Sequence, residues 1–115
     1  MPASALDADR LAQLRVFSQA ELHVIAEGAA TAIRDQLERL QGALAAEDLT
    51  VVADAAHRAR NETLLVGAHE LTHAFADLEQ AAREGNSIAA QAAARQVIAG
   101  WPQTHDALDG IIRGD

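Results

Sequence analysis

Residues 48–67 read Asp-Leu-Thr-Val-Val-Ala-Asp-Ala-Ala-His-Arg-Ala-Arg-Asn-Glu-Thr-Leu-Leu-Val-Gly. Leu49, Val52, Ala56, Ala59 and Thr63 recur at three- and four-residue intervals, the period of one face of a helix. Asp48 stands where a carboxylate caps a helix start. Gly67 stands where a tight turn would strain a larger residue. The spacing therefore predicts a helix over 49–65. His57 falls just off its apolar face, toward one flank, with Arg60 one turn further on.

Working upstream, Ser18 and Glu21 have capping-box spacing. Leu22, Ile25, Ala29, Ile33, Leu37, Leu40 and Leu44 then form a long apolar stripe, predicting a helix from about 19 to 46. Gly28 and Gly42 lie inside it and are expected where a neighbouring helix comes close. Asp7 is expected to cap a short helix over 8–15, with Leu11 and Leu14 as its apolar side. Residues 1–6 are expected to form a loose tail, and 7–112 a single domain.

Downstream, Ala68, Leu71, Phe75, Leu78 and Ala82 predict a helix over 68–84. Gly85 fits a C-terminal cap and Asn86 the next N-cap. A fifth helix begins near Ser87. Its expected inward face is Ile88, Ala92, Ile98, Trp101, His105, Leu108 and Ile112. Pro102 removes a backbone donor, which predicts a kink or break near Gly100. Short loops between successive helices force antiparallel neighbours. The expected fold is all-α, an up-down antiparallel four-helix bundle with a short N-terminal cap helix.

Composition narrows the chemistry. The 115 residues carry a formal net charge of -8 and no cysteine, which excludes disulfides and thiolate catalysis. All nine basic residues are arginine, so lysine Schiff-base and phosphate-loop chemistry are absent. Nothing forms a basic patch suited to nucleic acid. No apolar run reaches membrane-spanning length, and no signal peptide is visible, so a cytoplasmic setting is expected.

His57 is the residue with reactive potential. Histidine's ordinary pKa leaves a large neutral fraction near neutral pH, so Nε2 can act as a nucleophile. Arg60 supplies a permanent cation beside any phosphoryl group formed there. The run from Asp48 to Gly85 resembles the histidine-containing phosphotransfer domain of multistep phosphorelays. The resemblance is carried by Ala56-His57, Arg60, Asn61, Gly67, Leu78-Glu79 and Gly85, and extends weakly over residues 20–112. It implies that His57 accepts a phosphoryl group from a receiver-domain phospho-aspartate and passes it to another receiver. Arg60 would stand in for the family's lysine. Glu79, on the facing helix, would hold ring Nδ1 and leave Nε2 free. Asp54, Arg58, Asn61 and Leu64 would line the docking face, and Gly67 and Gly85 would shape the turns.

The implied partners are receiver domains, such as those of a hybrid histidine kinase and a response regulator. The chain would be a carrier rather than an enzyme and hold no cofactor or metal; the divalent ion of the reaction would belong to the receiver. The sequence departs from the family pattern twice. Arg60 replaces a lysine, and Asn61 replaces a glycine, adding bulk beside the nucleophile. An adaptor that docks receivers without accepting phosphoryl is the first alternative. A second comes from residues 69–73, His-Glu-Leu-Thr-His, which match a zinc-hydrolase signature through His69, Glu70 and His73. No third ligand with suggestive spacing follows it. His23, His105 and Trp101 read as packing residues.

Overall fold

The computed structural model describes residues 5–14 and 16–114, all helix or turn. The helices are α1 (Ala8–Leu14), α2 (Gln19–Ala45), α3 (Leu49–Leu65), α4 (His69–Arg83) and α5 (Ser87–Arg113). The four longer helices run up and down in sequence, and α5 returns to pack beside α2. The cap helix α1 sits over the α3–α4 turn, where the Asp7 amide donates to the Gly67 carbonyl at 2.7 Å.

The expected caps form. Ser18 and Glu21 make a reciprocal capping box, and Asp48 and Asn86 accept from the amides of Val51 and Ala89. The Asp7 carboxylate accepts from the amides of Asp9 and Arg10.

The three bundle turns share one geometry. Glu47, Gly67 and Gly85 take φ of 56°, 75° and 70°. The amides that follow, at Asp48, Ala68 and Asn86, donate back to Ala43, Thr63 and Ala81 at 2.8–2.9 Å. This pairing satisfies carbonyls that a helix end otherwise leaves open. At Gly67 the requirement for glycine is double. Its φ is left-handed, and an added Cβ would lie 2.8 Å from the Arg10 Cβ and 2.9 Å from the Asp7 Cβ.

The core runs down the bundle axis. Ile33, Leu40, Val52, Phe75, Leu78, Val97 and Leu108 are fully buried. Ala55, Ala56 and Ala59 are fully buried as well. Small side chains on a buried face permit close packing of α3 against its neighbours.

Four expectations need correction. Leu6 is not loose tail: it is buried in the core beneath α1, while residues 1–4 of that stretch lie outside the described residues. The inward face of α5 is Ala90, Ala94, Val97, Thr104 and Leu108. Ile88 and Ile98 are instead 84% and 42% exposed. In an alanine-rich helix the small residues can take the buried side, and isolated isoleucines do not fix its phase. Next, the helix does not break near Gly100: α5 continues through Pro102. Pro102 and Ile98, whose carbonyl loses its helical partner, are both exposed, so water is at hand to serve that carbonyl. Finally, no neighbouring atom comes within 4 Å of the positions Cβ atoms would take at Gly28 or Gly42. The close approach is at Gly100, where a Cβ would meet Leu71 Cδ2 at 3.0 Å.

No helix among the described residues is long and apolar enough to cross a membrane.

Candidate functional site around His57

His57 lies midway along α3. Its neighbours Ala55, Ala56 and Ala59 are buried, and a step of about 100° around the helix carries His57 to the edge of that face. Its side chain is 43% exposed. Glu79 faces it from α4, with a side chain only 12% exposed.

The ring is held on one side. His57 Nδ1 lies 3.0 Å from Arg60 Nη2 and 3.3 Å from Glu79 Oε1. Arg60 Nη2 is also 3.3 Å from Glu79 Oε1. Among the described residues Nε2 has no hydrogen-bond partner. The other carboxylate oxygen, Glu79 Oε2, accepts from Arg83 Nε at 2.9 Å and pairs with Arg83 Nη2 at 2.8 Å. Burial pushes the Glu79 carboxyl up, but the hydrogen bond from Arg83, the His57 contact and the Arg60 charge outweigh it and hold the group below its ordinary range. Arg60 Nε is buried and has no partner among the described residues.

The structure thus brings together His57, Arg60 and Glu79. Asp54 lies one turn before His57, but its carboxylate is taken: Oδ2 accepts from Arg39 Nη1 at 2.6 Å and from Arg58 Nε at 2.9 Å. These bonds, that from Arg39 foremost, hold the Asp54 carboxyl below its usual range. Asn61 and Leu64 continue the same helical face at one-turn spacing, and both are exposed. Leu64 and Leu65 are each 47% exposed, which gives this face an apolar end. Gly67 and Gly85 occupy the turns at either end of α4.

Two participants escaped the sequence reading. Arg83 was legible, since it follows Glu79 by four residues on one helix, the spacing of an ion pair. Arg39 was not, because only the packing of α2 on α3 brings it to Asp54. Arg39, Arg58, Arg60 and Arg83 flank His57 in a chain of net charge -8.

The His69–His73 motif sits elsewhere. His69 Nε2 is bonded to the Asp7 carboxylate, which ties α4 to the cap helix. That bond is the foremost cause holding the Asp7 carboxyl low. Among the described residues no three His, Asp or Glu side chains converge as a metal-binding group. His23 Nδ1 donates to the Ile112 carbonyl, 2.9 Å away, which requires the Nδ1–H form. His105 packs against Trp101, ring centroids 5.4 Å apart.

Comparison with known proteins returns no matching family model, no matching curated protein and no matching solved structure.

Proposed function

We propose that this protein is a phosphoryl carrier that accepts the group on His57 Nε2 from the aspartyl phosphate of a receiver domain and passes it to a second receiver. One observation carries the reading. A half-exposed imidazole on a bundle flank is held by a carboxylate and a guanidinium at Nδ1, while Nε2 has no partner among the described residues. In the step, the Nε2 lone pair attacks phosphorus. The bond from phosphorus to the aspartyl oxygen breaks, and its electron pair stays on the aspartate carboxylate. Glu79 accepts the Nδ1 proton of the phosphorylated ring, and Arg60 is within reach of the added negative charge. Asn61 and Leu64 lie where a receiver would settle, and the arginines beside them would favour encounter with its acidic pocket.

The test is transfer from a panel of receiver domains charged with acetyl phosphate. The expected result is an acid-labile, base-stable label on the wild-type chain and none on His57→Gln. Binding without label across the panel would replace the carrier by an adaptor that only docks. Absence of both would overturn the reading altogether.

A further inference from the structure

The two contacts at His57 Nδ1 cannot both be hydrogen bonds. A ring nitrogen holds either a proton or a lone pair. A guanidinium only donates and a carboxylate only accepts. If Nδ1 is protonated it can serve Glu79, and its N–H then points among the N–H groups of a permanent cation. If it carries a lone pair it can accept from Arg60, and the remaining ring proton sits on Nε2. Arg60 is the nearer group, 3.0 Å against 3.3 Å for Glu79. It also satisfies Glu79 directly, as an ion pair at 3.3 Å.

We infer that Arg60 masks the nucleophile: resting against Nδ1 it holds His57 in the Nε2–H form, and an arriving phosphoryl anion that draws the guanidinium away converts the ring to the Nδ1–H form able to attack. The purpose of the mask rests on the carrier reading, whereas the resting form of the ring does not. With a proton on Nε2, that nitrogen's lone pair belongs to the aromatic ring and attacks nothing.

Two further observations fit this device. Arg60 Nε is buried without a partner among the described residues, so the side chain gives up no bond there when it swings outward. The Arg60 side chain is 34% exposed, so its tip has a route to solvent. A phosphoryl group presents anionic oxygens, to which a guanidinium bonds more strongly than to a neutral ring nitrogen. Glu79 stays in place meanwhile, because Arg83 holds its other oxygen at 2.8–2.9 Å. Its Oε1 is then the acceptor left at Nδ1. The proton count balances through solvent: Nδ1 takes one proton from water and Nε2 returns one. Arg60 therefore has two positions, one that silences the ring between encounters and one that meets the incoming charge.

The experiment reads the ring nitrogens of His57 by long-range proton–nitrogen correlation in the ¹⁵N-labelled full chain near neutral pH. The expected wild-type spectrum is that of the Nε2–H form. Arg60→Met, which keeps the aliphatic stem, is expected to shift the ring to the Nδ1–H form. A wild-type ring already in the Nδ1–H form would overturn the mask, even if Arg60→Met proved unable to fold. An unchanged ring in a folded Arg60→Met protein would overturn it too. Failure of the carrier reading is separable, since it would appear as a ring that switches as expected in a protein no receiver labels.

Discussion

Replacing Glu79 by glutamine removes a charge while nearly keeping the shape, and the structure sets the size and pH dependence of the effect. Glu79 is 12% exposed and its carboxylate meets Arg83, Arg60 and His57. A hydrogen bond to a charged group contributes about 1.5–3 kcal/mol. Arg83 is 60% exposed and regains water when the charge is lost, so its share is discounted toward that of a surface pair. The expected net loss is about 1–2 kcal/mol near neutral pH. For a domain of this size that lowers the melting temperature by roughly 4–8 °C. The folded Glu79 carboxyl lies below its ordinary value of 4.5. A carboxyl depressed in the folded state contributes its stability above the unfolded pKa and loses it as pH falls through the folded one. The gap between wild type and Glu79→Gln should therefore be full near neutrality and close as the pH drops below 4.5. Thermal melts followed by circular dichroism across that range measure it. Parallel curves for the two proteins, or equal stability near neutrality, would refute the reasoning.

Three further outcomes are expected. At two of the three turns of matching geometry, Glu47→Gly should stabilise and Gly67→Ala destabilise, because a left-handed φ costs a residue with a Cβ about 1–2 kcal/mol. The Gly67 change should be the larger, since its Cβ also collides with α1; urea titration orders them, and equal magnitudes would show that α1 yields freely. Gly28→Ala and Gly42→Ala should each add roughly 0.5–1 kcal/mol in the same titration, as both glycines lie within α2 with open space around them. His57→Gln should move the midpoint little, because the ring is 43% exposed; a loss of several kcal/mol would mark the ring as a packing element.

The bundle was legible in the sequence because its signals were local. Caps at Asp7, Ser18, Asp48 and Asn86 and glycines at 67 and 85 marked the helix ends, and short turns left only antiparallel neighbours. The phase of α5 was not legible. Ile88 and Ile98 outweighed Ala90 and Ala94 in the reading, but burial in an alanine-rich helix depends on where its neighbours lie. Glu47 gave no warning of its left-handed φ, since a glutamate there carries no glycine signal and the turn is imposed by the helices it joins. At the candidate site, the facing of His57, Arg60 and Glu79 was expected, and the crowding of donor and acceptor on one ring nitrogen was not. Residue spacing can place groups on neighbouring turns. It cannot say which of them arrives at a given atom.

Helix α2 has one end at the chain's exits and its far half beside the reactive surface. Gln19 lies against Gly114, and Asp7 lies against the α3–α4 turn, so the two described ends of the chain emerge at one pole. Twenty residues further along α2, about 30 Å at helical rise, Arg39 meets Asp54 one turn from His57. A dye placed on α2 beside Gln19 would stand most of that distance from the imidazole and leave it open to approach.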